Sequence, residues 1–116
     1  EGGFVQGAGW LTMEEVTWKL NGQLTTHSPS TYKIPAVSDM PEKFNVEIFK
    51  QGKNIENVIN KSKTTGEPPL MNAMSVFFAI KNAIASITNY NFTPELNAPA
   101  TPERILMSIN KLKRKI

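Results

Sequence analysis

One carboxylate in this chain is placed where it could take a proton. Glu67 follows Gly66 and precedes Pro68-Pro69 in the run SKTTGEPPL, residues 62–70. The two prolines suit the first turn of a helix, where a missing N–H group costs no intrahelical hydrogen bond. A helix start favours a negative charge by about 0.3–1 kcal/mol, while burial opposes it. Gly66 lets the backbone turn tightly, or lets another molecule come close to it. An ionised acid on a rigid helix start, beside an open backbone, is suited to general-base work. Acids are also common at helix starts for purely local reasons, and the residue types alone leave that ordinary reading standing.

Other chemistries are poorly supplied. There is no cysteine and one histidine, His27. Disulfides, thiolate ligands and a multi-histidine metal site are therefore excluded within the sequence. His27 at a strand end reads as a surface residue. No Ser/His/Asp arrangement has a familiar spacing, and Gly7-Ala8-Gly9 lacks both the third glycine and the preceding strand of a dinucleotide fingerprint. The net charge is +3, much of it from Lys111, Lys113, Arg114 and Lys115. That run reads as a solvated helix end complementing the helix dipole, not as a nucleic-acid surface. Trp10, Trp18, Tyr32 and Tyr90 are not interleaved with basic residues, which also weakens a nucleic-acid reading. The most apolar stretch is interrupted by Asn72, Lys81 and Asn82 and is too short to span a bilayer. The N-terminus shows no signal-peptide pattern. The expectation is a soluble, cytoplasmic chain with no nucleic-acid or membrane partner.

The elements that must hold Glu67 follow from hydrophobic periodicity. Leu70 to Ile80 is apolar nearly all round, predicting a helix buried on most sides. A stripe of small or polar residues, Asn72, Ser75, Ala79, Asn82 and Ser86, is left for water or a close neighbour. Phe4, Ala8 and Leu11 recur at helical spacing near the N-terminus. The glycines interleaved with them make that helix poor on propensity, so it needs close packing to persist. Val16, Trp18 and Leu20, then Asn21-Gly22, then Leu24 and Thr26 predict a hairpin with a two-residue type I′ turn. Residues 28–41, punctuated by Pro29, Pro35 and Pro41, predict an irregular connection that binds something or wraps a neighbour. Phe44, Val46 and Ile48 alternate as in a strand. Thr101-Pro102-Glu103 opens a last helix whose apolar stripe is Ile105, Ile109, Leu112 and Ile116. Together these predict an α+β fold: a small antiparallel hairpin plus a further strand packed with two or three helices, in one small domain over residues 1–116.

Six separated segments carry a resemblance. EGGFVQGAGWLTMEE (1–15), SPSTYKIP (28–35), PEKFNVE (41–47), SKTTGEPPL (62–70), SVFFAIKNAI (75–84) and APATPERI (98–105) resemble, in the same order, the C-terminal end of the molybdenum-cofactor-binding region of the xanthine dehydrogenase family. The resemblance implies that residues 1–116 are a partial domain, a C-terminal segment of a larger molybdopterin-binding domain. It implies a reaction in which a purine such as xanthine or hypoxanthine is hydroxylated with oxygen derived from water. The glutamate of the family's G-E-P-P motif is the general base, which corresponds to Glu67. Thr65 and Gly66 would line the cofactor pocket through backbone atoms. Thr64-Thr65 stand where many relatives carry Ala-Val, which alters the polarity of that wall. Pro-Pro after the glutamate is more like xanthine dehydrogenases than aldehyde oxidases.

The same resemblance places the molybdopterin–molybdenum cofactor mainly against upstream residues, and the iron–sulfur clusters and FAD in other regions. Its implied partners are the rest of the molybdenum-binding region, the iron–sulfur and FAD subunit or domains, and the purine. The isolated chain is expected to bind no cofactor, to be inactive and to self-associate. The competing expectation is a non-enzymatic interaction module that docks through residues 28–41 and the 70–87 helix.

Overall fold

Three helices carry the structure: α1 (Gly2–Thr12), α2 (Pro68–Ser86) and α3 (Pro102–Lys113). It is a computed structural model, describing residues 1–63 and 67–116. α1 forms despite its glycines because those glycines are where α2 presses against it. A Cβ built on Gly3 would lie 2.8 Å from Pro69 Cβ. One built on Gly7 would lie 2.8 Å from Ala73 Cβ and 3.2 Å from Leu70 Cα. Gly7 and Ala73 are both buried in this seam. Side chains at these positions would force the helices apart, so the poor propensity of α1 is offset by close backbone packing.

α2 starts as its sequence predicts, with Pro68 and Pro69 in the first two positions. Leu70 and Met71 donate their backbone N–H groups to the Glu67 carbonyl at 3.0 and 3.2 Å. Its far end meets α3 in the small core, where buried Ile84, Leu96, Ala100 and Leu112 are joined by Phe77, Ile80, Ile105 and Ile109. α3 begins with the expected cap: the Thr101 hydroxyl accepts from Arg104 N–H at 3.4 Å, and Glu103 occupies the first turn. The Ala100 N–H donates to the Leu11 carbonyl at 2.7 Å, tying the loop before α3 to the end of α1.

The burial expected of α2 is only partial. The stripe of Asn72, Ser75, Ala79, Asn82 and Ser86 is exposed, and so are Met71 and Phe78.

The predicted α+β class is overturned: the described residues contain helices and no sheet. The expected hairpin is reduced to one antiparallel bridge, Trp18 with Leu24. Its turn exists, with Gly22 N–H donating to Lys19 carbonyl and Lys19 N–H to Gln23 carbonyl, each at 2.9 Å. Gly22 takes the left-handed backbone (φ 80) and Asn21 does not, so this is not the type I′ turn. The alternation at Phe44, Val46 and Ile48 produces no strand. A β-strand needs a ladder partner for its N–H and C=O groups, and none of the described residues pairs with this segment. Only Phe44 is held, its ring 5.4 Å from that of Phe4. Short 3-10 turns at Val37–Asp39 and Ile59–Lys61 are the other regular pieces of the long connection between α1 and α2.

Candidate active site

Glu67 occupies the N-cap position of α2, but its side chain makes no capping hydrogen bond. It forms no ion pair among the described residues. Glu67 is exposed and lines an open cavity of about 210 Å³ together with Gly3, Gln6, Gly7, Trp10, Pro69 and Leu70. The seam of α1 glycines against α2 builds this cavity. It draws the start of α2 onto α1, and Gln6 and Trp10, one turn apart, then stand beside Glu67. Thr65 and Gly66, the other two expected site residues, lie outside the described residues, as does Thr64.

Gln6 and Trp10 also border a second cavity of about 520 Å³ with Glu14, Tyr32, Ile34 and Pro35. Glu14 is 9% exposed. The Tyr32 hydroxyl donates to Glu14 Oε2 at 2.6 Å. That hydrogen bond, then burial and the nearby negative charge, raise the Tyr32 phenol above its ordinary pKa. Pro35 and the Glu14 carboxylate both close on Gly9, where a Cβ would lie 2.5 Å from each. The segment 32–35 is thus clamped to the end of α1. Next to Glu14, Glu15 pairs with Arg104 Nη2 at 2.5 Å, and Arg104 Nη1 donates to the Pro99 carbonyl at 3.1 Å.

Sequence reasoning missed Gln6, Trp10 and Glu14 as cavity residues. The spacing held a signal, because Gly3 and Gly7, like Gln6 and Trp10, are four apart. The two pairs form adjacent helical rows, one for packing and one for a wall. His27 is exposed, its Nδ1 3.3 Å from the Thr25 carbonyl oxygen, and takes no part in either cavity. Within the basic C-terminal run, Lys111 and Lys115 turn to Glu95 at 3.2 and 3.9 Å. The Lys111 hydrogen bond and both positive charges lower the Glu95 carboxyl below its ordinary range. Two of the run's charges are therefore used locally, against Glu95.

As a home for a bound cofactor, the arrangement fits a wall and not a cage. No three His, Cys, Asp or Glu side chains cluster among the described residues, so they offer no metal-ligand set. They do offer one carboxylate, one carboxamide and one indole around an open space. No helix among the described residues is long and apolar enough to cross a membrane.

Residues 1–41 match the family model described as the molybdopterin cofactor-binding domain. The chain is 47% identical over 118 residues to xanthine dehydrogenase 1 of Arabidopsis thaliana, covering 93% of this chain and 9% of that protein. It is 48% identical over 111 residues to xanthine dehydrogenase of Dictyostelium discoideum, covering 93% and 8%. For xanthine dehydrogenase/oxidase of Felis catus the identity is 46% over 113 residues, covering 90% and 8%. The chain spans less than a tenth of the length of these curated relatives.

Proposed function

Starting from homology to one segment of the xanthine dehydrogenases, we propose that this chain forms one wall of a molybdenum hydroxylase active site and supplies its general base, Glu67. The reaction converts a purine ring C–H to C–O. Water provides the oxygen, and two electrons and two protons leave. The molybdenum cofactor, when bound, supplies the two-electron redox chemistry. Glu67 accepts a proton at a carboxylate oxygen as the oxygen nucleophile attacks. Thr65 and Gly66 line the cofactor side of the pocket through their backbone. The rest of the molybdenum-binding region, and the iron–sulfur and FAD modules, complete an enzyme that works in the cytoplasm.

A single observation carries this reading. Glu67 shares its cavity with α1, and α1 lies inside the segment matched to the molybdopterin cofactor-binding family. Two stretches about sixty residues apart in sequence, one tied to the cofactor by family and one bearing the acid, therefore meet. Among the described residues the Glu67 side chain has neither a capping hydrogen bond nor an ion pair, which supports the same reading, since a base must be free to take a proton.

The test is Glu67→Gln in the assembled enzyme. The amide is near-isosteric and cannot act as the base. Turnover is expected to fall by at least about 100-fold, the low end of what general-base catalysis contributes, with molybdenum content unchanged. Turnover within a few-fold of wild type would return Glu67 to a purely local role at the helix start.

A further inference from the structure

We propose that a groove at the far end of α2 docks an acidic, apolar segment of the rest of the molybdenum hydroxylase, with Lys81 as its charged anchor. The proposal rests on the reading of this chain as one wall of that enzyme. The groove has a volume of about 440 Å³ and shares no lining residue with either cavity along α1. α2 contributes Phe78, Lys81 and Ala85, three and four residues apart on one helical face. The loop after α2 contributes Tyr90, Phe92 and Pro94. Two of the rings are fixed from behind. Phe78 meets Phe77 edge-on, with ring centroids 5.7 Å apart, and Phe77 packs against the core around Ile84. Asn89 and Tyr90 both take the left-handed backbone, at φ 49 and 64, which Asn adopts readily and Tyr seldom. There the Tyr90 N–H donates to the Ala85 carbonyl at 3.1 Å, fastening the loop to the end of α2. Phe78, Tyr90 and Phe92 nevertheless remain exposed. Aromatic side chains held in place at a surface are what protein interfaces use as anchors.

Charge decides what fits between them. Lys81 is half-buried and forms no ion pair among the described residues. No carboxylate lines the groove. Glu95, next in sequence to Pro94, is engaged by Lys111 and Lys115 at 3.2 and 3.9 Å. A partly desolvated ammonium is best satisfied by a carboxylate. A segment that combines an Asp or Glu with apolar side chains therefore complements both the rings and the charge. The chain spans less than a tenth of the length of its curated relatives, so most of an enzyme of that length is left to supply the segment. A second copy of the chain is the poorer occupant, because it would bring another net charge of +3 to a basic surface.

The experiment uses the assembled enzyme. Carbodiimide joins an amine to a carboxylate in contact with it, and peptide mass spectrometry should find Lys81 cross-linked to an Asp or Glu outside residues 1–116. The cross-link should vanish in Lys81→Arg, which keeps the charge but has no reactive amine. Acetylation of Lys81 should be slow in the wild type and speed up when the cross-linked acid is replaced by its amide. Lys81→Glu should lower the melting temperature, and changing the cross-linked acid to Lys in the same enzyme should restore it. Absence of the cross-link, or acetylation as fast as that of a free lysine side chain, overturns the proposal. A cross-link into residues 1–116 of another copy overturns it too, by giving the groove to self-association. Should Lys81→Glu fail to assemble, the cross-link and acetylation of the wild type decide. Neither measurement involves Glu67, so wild-type turnover in Glu67→Gln would overturn the general-base reading and leave this one standing.

Discussion

Glu14 and Tyr32 show how one buried acid can define an environment without a cation. The phenol is the sole side-chain hydrogen-bond donor to Glu14 among the described residues, at 2.6 Å. Ionising Tyr32 would set two negative charges against each other, so its proton is held beyond the ordinary tyrosine range near pH 10. Because the folded-state value is raised, the contribution to stability is complete below that range. It is lost as pH rises through the raised folded-state value. Glu14→Gln removes the charge and keeps the shape. The alkaline titration of Tyr32, followed by phenolate absorbance in a Tyr90→Phe background, should then move down toward the ordinary tyrosine value. An unmoved midpoint would mean that the carboxylate does not control the phenol. Neither partner stood out in the sequence, since an acid eighteen residues from a tyrosine carries no pattern. The place of Glu67 at the start of α2 was legible because helix-start chemistry is local: an acid followed by two prolines marks the first turn.

Among the elements, what was legible follows whether a segment's partners lie in the same chain. α2 and α3 announce themselves through proline at the first turn, a threonine cap and an apolar stripe, all satisfied within each helix or against its neighbour. α1 was readable only as an apolar spacing with too many glycines, and the structure supplies the reason for both. The strands failed because period-two alternation specifies a face, not a partner. Trp18 and Leu24 find each other across a five-residue turn, whereas residues 44–49 find no strand partner among the described residues. The α1–α2 seam yields a paired prediction. Gly7→Ala inserts a methyl group 2.8 Å from Ala73 Cβ and 3.2 Å from the Leu70 backbone, an overpacking that should destabilise by about 1–3 kcal/mol. Gly2→Ala meets nothing within 4 Å and should stabilise by up to about 1 kcal/mol through helix propensity. Denaturant midpoints for the two variants should move in opposite directions. Movement in the same direction would show that the helices do not meet at Gly7.

The molecule as a whole is too open for its length. Its radius of gyration is 18.6 Å, with extents of 56 × 42 × 27 Å, whereas a compact domain of this size would measure about 13 Å. The core around Ile84 and Leu112 is small, and large apolar side chains stand in solvent along the connection between α1 and α2. Ile48 is 86% exposed, Phe49 76% and Ile55 92%. Met71 and Phe78 on α2 are also more than half exposed. Single exposed apolar residues are ordinary, but this many large ones beside so small a core fit surface that another body covers. In the proposed enzyme that body is the rest of the molybdenum-binding region. Without it the same surface is free to pair with further copies of the chain, and the described residues offer a wall to the cofactor without a ligand set. The purified 116-residue chain should therefore sediment as concentration-dependent oligomers, bind a hydrophobic dye strongly and carry molybdenum far below one atom per chain. Co-production with the upstream molybdenum-binding region should reverse all three results. A monomeric, dye-silent chain that retained stoichiometric molybdenum would refute the dependence on that partner and show that this segment closes a site unaided.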